Sequence, residues 1–358
     1  MALNRTTVTI DLKSIVSNLR YVRSLAPGKK IMAVIKADAY GHGAVRVAKV
    51  MESADALAVA RIEEANELRV GGIDTPICVL EGVLNKEELS RARELDLQLV
   101  VHSSHQVDLH NKFGDSVPLW LKIDSGMGRL GFHPEDITEV FERLRGQNMA
   151  GVMSHLSHAD DVRSDKTARQ LKILEDQIFP LSRERGLEFN LANSAGLLEW
   201  EDTITDWIRP GLMLYGISPF TDLKSRDDLQ SSMTFSARVI AVRGLRKGQS
   251  VGYGGIYKTK EDMRIAVIAA GYADGYPREI KQGSPVLINK KRMPLVGRVS
   301  MDLICVDIGE ENIRPGDQAI LWGDSLPIEE VAKLSETIPY TLLTGISSRV
   351  TRNYQLVE

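Results

Sequence analysis

The stretch IMAVIKADAYGHGAV, residues 31–45, carries an apolar run straight into Lys36 and then into a segment with Asp38, Tyr40, Gly41, His42 and Gly43. A buried strand that ends on an ammonium group poses a physical problem. An unpaired buried charge is costly and tends to give up its proton. A lysine that snorkels out to water at the strand end is the alternative. The pattern around the stretch says what kind of strand it is. From residue 30 short β-branched runs alternate with longer segments of helical period. The runs are IMAVIK, ALAVA, PICVL, LQLVV, PLWLKID, GVMSHL, FNLAN and WIRPGLMLY. Between them lie helix patterns such as AVRVAKVMES, RIEEANELRVGG, KEELSRAREL and TARQLKILEDQIFPLSRERG. In the last, Leu171, Leu174, Ile178 and Leu181 recur at spacings of three and four and mark one apolar face. Eight strands alternating with helices predict an α/β fold, a (β/α)8 TIM-type barrel.

The texture changes after about residue 216. SPFTDLKSRDDLQSSM reads as a polar linker. Closely spaced strand runs follow, TFSARVIAVR, RIAVIAAGY, SPVLIN, DLICVDIG and QAILWG, with turns such as RKGQ and RPGD and one late helix, PIEEVAKLSETI. The expected organisation is a barrel over residues 1–228 and a β-rich C-terminal domain over 229–358, with the first residues, about 1–10, pairing with the second domain.

The chain has 358 residues, enough for two domains with full cores. It is 43% hydrophobic and 26% charged, which argues against disorder. A formal net charge of −3, with no long Lys/Arg run, gives nucleic-acid binding no electrostatic support. Cys78 and Cys305 make neither a disulfide framework nor a metal site. The start lacks a basic leader and an apolar h-region, and no apolar run reaches the roughly eighteen residues of a membrane span. The expectation is a cytoplasmic protein with no membrane or nucleic-acid partner.

Active sites of such barrels lie at the C-terminal ends of the strands. Lys36 ends the first strand, Lys122 and Asp124 the fifth, His155 the sixth, Asn193 and Ser194 the seventh; Arg129 follows the fifth, and Arg209 and Gly211 fall in the eighth. The loops after strands seven and eight, where barrels commonly bind phosphate, carry the small residues of ANSAG and RPGL. A lysine on strand one with an anion cradle on strands seven and eight points to pyridoxal 5'-phosphate, with Arg209 placed to partner the ring nitrogen. GMGRLG, residues 126–131, has the letters of a dinucleotide loop, but its glycines do not open the next helix, expected near residues 134–136. His155 and His158, three apart at a strand end, lack a third ligand for a metal.

AVIKADAYGHG resembles the cofactor-binding signature of the alanine racemase family. KIDSGMGRLGF, SHLSHAD, ANSAG, RPGLMLYG, VGYGGIY, AAGYADGYPR and VGRVSMD resemble that family's other motifs, in its order and over essentially the whole chain. The resemblance implies a pyridoxal phosphate-dependent isomerase of fold type III that interconverts L- and D-alanine. Lys36 would hold the cofactor as an internal aldimine and act as one catalytic base, with Tyr253 as the other on the opposite face. Arg209 would donate to the pyridine nitrogen and His155 would lie against the ring, with Tyr40, Ser194, Gly211 and Leu212 at the phosphate and Asn193 in the same site. Arg129 would bond the phenolic oxygen and lie near the substrate carboxylate, with Met301 and Asp302. Asp160, Tyr272, Arg278 and Arg298 would line the access corridor. In the family Tyr253 and Met301 come from the partner subunit, so a homodimer is implied. Lys122, seven residues before Arg129, would be carbamylated, as in many members. Ser348 stands where many members have a phosphate-contacting tyrosine, and Thr341 where glutamate is usual.

Two opposed bases suit a reaction that removes a proton from one face of Cα and delivers one to the other. A racemase of broader or different amino-acid specificity is the alternative, because side-chain selection depends on pocket dimensions. Supplying D-alanine for a cell wall and degrading it both fit the sequence.

Overall fold

The computed structural model describes residues 4–113, 117–220 and 228–356. Eight parallel strands close into a barrel in chain order: β2 (Lys30–Val34), β3 (Ala56–Val59), β4 (Ile77–Val79), β5 (Leu97–Val101), β6 (Leu119–Lys122), β7 (Met149–Met153), β8 (Glu188–Asn190) and β9 (Trp207–Ile208). They are preceded by β1 (Thr6–Asp11). These eight fall within the runs read from the sequence, but the last is shorter than expected: WIRPGLMLY is strand only at Trp207–Ile208, so Arg209 and Gly211 follow the strand rather than lie in it, and Leu212–Tyr215 is a short helix. The side chains of the barrel strands are almost all buried, because both sheet faces are covered, by the helices outside and the packed barrel interior within. Local fit is tight. A Cβ on Gly151 would lie 2.5 Å from the ring of Trp120, its register partner across β6 and β7, so only glycine admits the indole there.

The helices between the strands follow the 3.6-residue pattern, with two departures. The segment read as one long helix is α-helical over Lys166–Ile173, widens into a π-turn at Leu174–Ile178 and resumes at Phe179–Glu184. Pro180 has no N–H to give the carbonyl four residues back, and the wider turn absorbs that defect. The predicted helix after Gly43 covers only Ala44–Ala48.

The second unit comprises residues 4–17, 215–218 and 228–356 of the described chain. Its sheet contains β10 (Met233–Leu245), which pairs with β1, β13 (Met263–Ile268) and β17 (Gln318–Trp322). Further strands are β11 (Ser250–Val251), β12 (Tyr257–Lys258), β14 (Pro285–Ile288), β15 (Lys291–Pro294), β16 (Ile304–Asp307) and β18 (Thr351–Gln355). β1 lies between β10, antiparallel, and β18, parallel. β1 therefore belongs to this unit although it precedes the barrel strands in sequence. Of the stretch read as a linker, residues 221–227 lie outside the described residues.

Candidate active site

The segment after β2 is not the ordinary loop that its composition suggests. Ala37, Asp38, Ala39 and Tyr40 all have φ between 51° and 53° and ψ between 42° and 54°, a full left-handed turn without a glycine. Left-handed helix costs about 1–2 kcal/mol per non-glycine residue, so contacts elsewhere must hold it. The Asp38 carboxylate accepts the Ala44 N–H at 2.7 Å, and the buried His42 ring donates through Nδ1 toward the carbonyls of Ala39 and Tyr40, both at 3.0 Å. The turn aims Lys36 and Tyr40 from one strand end.

Four cations share this rim. Burial, then Arg129, lower the Lys36 pKa. Burial, then Arg209, Arg129 and Lys36, bring Lys122 down to about 8. Burial alone brings the enclosed Arg209 guanidinium down to about 10, which leaves it cationic at neutral pH. Among the described residues the side chains of Lys36, Lys122 and Arg129 make no hydrogen bond or ion pair. Arg209 is held by neutral acceptors: the Ser154 carbonyl at 2.7 Å, the Asn190 carbonyl at 3.4 Å, the Asn190 Oδ1 and the His155 Nδ1 at 3.1 Å. Burial and these cations hold the His155 pKa well below the ordinary histidine value. A cluster of this sign receives an anion.

Beside it lies a cradle of small groups. The Ser194 hydroxyl accepts the N–H groups of Gly211 at 3.0 Å and Met213 at 3.4 Å. A Cβ on Gly211 would sit 2.7 Å from the Tyr40 hydroxyl, so this space exists because residue 211 is glycine. Leu212 begins the short helix Leu212–Tyr215 and is buried. Asn193 caps the helix Ser194–Glu199: its amide oxygen accepts the Gly196 N–H at 2.9 Å. An amine without a partner, cationic neighbours and a cradle that a Cβ would fill suit pyridoxal phosphate, which brings an aldehyde and a phosphate.

The glycine-rich loop has a different purpose from nucleotide binding. The Asp124 carboxylate accepts N–H groups of Gly126, Met127, Gly128 and Arg129 at 2.7–3.2 Å, which holds its pKa down and folds the loop so that Arg129 returns to the rim. His158 is engaged by the Ser157 hydroxyl at 2.8 Å and by Lys166 at 3.0 Å. Asp160 is exposed nearby in sequence.

The remaining predicted residues belong to the β-rich unit, where turns adjoin one another. The Tyr272 and Ala273 N–H groups donate to the carbonyls of Ser300 at 3.1 Å and Met301 at 3.0 Å, and the Ser347 N–H donates to the Asp274 carbonyl at 3.3 Å. Gly252 lies against the Arg298 backbone. Tyr253 is 72% exposed, Met301 52% and Tyr272 41%. Asp302 pairs with Arg349 at 2.8 Å, and Arg349 also pairs with Asp274 at 2.7 Å. Arg278 pairs with Glu279 at 2.6 Å. Arg298, Thr341 and Ser348 are exposed. Sequence reasoning named His42 without a role and missed Arg349 and Glu64. Arg349 sits next to Ser348, and Glu64 is one of three glutamates, with Glu63 and Glu67, in a helix whose pattern does not single it out.

Fold and rim define a (β/α)8 barrel with an anion-receiving, lysine-bearing site, joined to a β-rich unit. The alanine racemase N-terminal domain family matches residues 10–219, and the alanine racemase C-terminal domain family matches residues 232–354. An alanine racemase from Nitrosococcus oceani is 45% identical over 354 residues, covering 97% of this chain and 98% of that protein. The crystal structure of the biosynthetic alanine racemase from Pseudomonas aeruginosa aligns with a TM-score of 0.93 and 37% identity, covering 99% of this chain and 100% of that one. That of the alanine racemase from Bartonella henselae with covalently bound pyridoxal phosphate aligns with a TM-score of 0.88 and 29% identity, covering 98% and 99%. The chain belongs to the alanine racemase family, isomerases that depend on pyridoxal phosphate.

Proposed function

We propose that the protein interconverts L-alanine and D-alanine with pyridoxal phosphate. The observation that carries this reading is the rim cluster: unpaired Lys36 facing Arg129, Arg209 and Lys122 beside the Ser194–Gly211–Tyr40 cradle. When bound, the cofactor supplies the electron sink that makes a Cα–H bond acidic. Lys36 would hold it through its amine; Tyr40, Ser194 and the backbone of Gly211 and Leu212 would hold its phosphate. Arg209 would face the ring nitrogen and His155 the ring. Arg129, with Met301 of the partner subunit and Asp302 beside it, would orient the substrate carboxylate.

Lys36 takes or gives the proton on one face of Cα. Burial and cationic neighbours favour its neutral amine, which suits a base. Tyr253 of the partner subunit serves the other face, in a homodimer with shared sites. The exposure of Tyr253, Ile256, Tyr272 and Met301 in the β-rich unit supports such a contact surface. Asp160, Tyr272, Arg278 and Arg298 would line the approach. Lys122 carries a carbamate, which turns one of two neighbouring cations into an anion that orients Arg129. No helix among the described residues is long and apolar enough to cross a membrane.

The test is D-alanine formation from L-alanine by purified protein with added pyridoxal phosphate, beside Lys36→Ala and Tyr253→Phe. Product from the wild type and none from Lys36→Ala supports the reading. A wild type that takes up the cofactor but turns over only another amino acid moves the assignment to that substrate.

A further inference from the structure

The left-handed turn after Lys36 needs an anchor at its near end, and the contacts of Asp38 and His42 lie at its far end. The near end is reached from the next strand–helix unit. Glu64, in the first turn of the helix Ile62–Val70, accepts the Ala37 N–H through Oε1 at 2.6 Å. Its other oxygen, Oε2, accepts the N–H groups of Ala60 at 2.7 Å and Arg61 at 3.1 Å. One carboxylate therefore ties the first peptide of the left-handed turn, which directly follows Lys36, to the loop at the end of β3. Both oxygens are used by backbone donors.

We infer that Glu64 is a positioning residue for Lys36: by fixing the Ala37 amide it sets the direction in which the Lys36 side chain leaves its strand. Four non-glycine residues in left-handed geometry persist only where their surroundings over-determine them. Releasing the first of them frees the backbone to relax and swings the lysine with it. Glu64 has an electrostatic effect as well. Lys36 is flanked by Arg129, Arg209 and Lys122 on the cationic side and by Glu64 and Glu81 on the anionic side, with Glu64 the stronger of the two acids in keeping the lysine protonated. Glu81 is paired with Arg61 at 3.7 Å and separates the effects, since it supplies charge without a bond to the turn. The inference rests on the proposed lysine-dependent reaction for its catalytic meaning, but the geometry is a property of the chain alone.

The experiment compares wild type, Glu64→Gln, Glu64→Ala and Glu81→Gln as full-length proteins. Without cofactor, amide hydrogen exchange of residues 36–44 and the pH dependence of Lys36 acetylation are followed by mass spectrometry. With cofactor, kcat and KM for alanine are measured against pH. Both Glu64 variants are expected to lose protection at Ala37, to shift the Lys36 acetylation midpoint to lower pH, and to lose about ten- to a hundredfold in kcat, the scale of a misplaced reacting group. Glu81→Gln is expected to shift the midpoint the same way while Ala37 stays protected. Wild-type protection at Ala37 in the Glu64 variants overturns the inference. If Glu64→Ala does not fold, Glu64→Gln decides: its one oxygen turns to the two N–H donors of Ala60 and Arg61, and its NH2 group then meets the Ala37 N–H, which loses its acceptor. A wild type that racemises nothing defeats the proposed reaction yet leaves the exchange and acetylation results standing.

Discussion

Arg209 lies 3.1 Å from the Nδ1 of His155. A guanidinium can only donate, so Nδ1 must be the accepting nitrogen and the proton of this imidazole sits on Nε2. The relationship fixes the tautomer and opposes a second proton. His155 is therefore a neutral ring against which a flat ligand could lie, not a titrating acid near neutral pH.

This has a consequence for stability. The His155 pKa is held low in the folded chain, while in the unfolded chain it returns to about 6.5. Below that value the unfolded state binds a proton that the folded state refuses, so stability falls as the pH drops through it. Denaturant unfolding of cofactor-free protein at a series of pH values from 7 downward is expected to show this loss, and His155→Asn to flatten it. Parallel curves for the two proteins would count against the assignment.

Lys122 predicts the alkaline side. Its folded pKa of about 8 lies below the roughly 10.4 of an unfolded lysine. Between these values the unfolded state holds the extra proton, and stability rises with pH. In carbon dioxide-depleted buffer, where Lys122 is a free amine, cofactor-free Lys122→Met is expected to be more stable than wild type at pH 7 and to lose that alkaline rise. Carbamylation draws on the same neutral amine. Carbon dioxide-depleted buffer should lower wild-type activity and bicarbonate restore it, with Lys122→Met insensitive to both; equal responses would dismiss the carbamate.

Gly211 predicts cofactor affinity. An added Cβ would meet the Tyr40 hydroxyl at 2.7 Å and push it from the cradle. Loss of one hydrogen bond to a phosphate is worth about 1.4 kcal/mol, roughly tenfold in Kd. An absorbance titration of Gly211→Ala with pyridoxal phosphate should show that weakening with little change in thermal stability. Undiminished affinity would place the phosphate elsewhere.

Arg349 predicts the behaviour of the β-rich unit. Its guanidinium joins Asp274, whose side chain is 6% exposed, to Asp302. The two carboxylates keep its pKa raised. Half of the arginine side chain meets water, so Arg349→Ala should cost only about 1 kcal/mol in stability. Its larger effect should be on kcat/KM, by loosening the Tyr272, Met301 and Ser347 turns together, with the Lys36 acetylation midpoint unchanged. Full activity in Arg349→Ala would show that these turns hold without it.

Much of the fold was legible because buried parallel strands write themselves as continuous β-branched runs, and helices that cover them repeat every three or four residues. IMAVIK, PLWLKID and WIRPGLMLY could be placed on that basis alone. Short or two-sided elements left no such signature: β18, β15 and the helix Pro339–Thr344 carry mixed patterns. Candidate site residues at strand ends could be named from the sequence because the barrel's topology gives strand ends a common rim. Glu64 and Arg349 could not, since a charged side chain reads as solvated until its partners are known.

The sequence by itself determined the order of strands and helices, the chemical types at each strand end and the motifs that mark the family. Tertiary structure decided the rest. Barrel closure pairs β2 with β9, which brings Lys36 into the field of Arg209 across more than half the barrel's chain. The left-handed turn was decided there too. The backbone preferences of Ala37, Asp38, Ala39 and Tyr40 oppose it; the bond from Glu64, 27 residues away, adds to the local bonds of His42 and holds a conformation that the isolated segment would abandon.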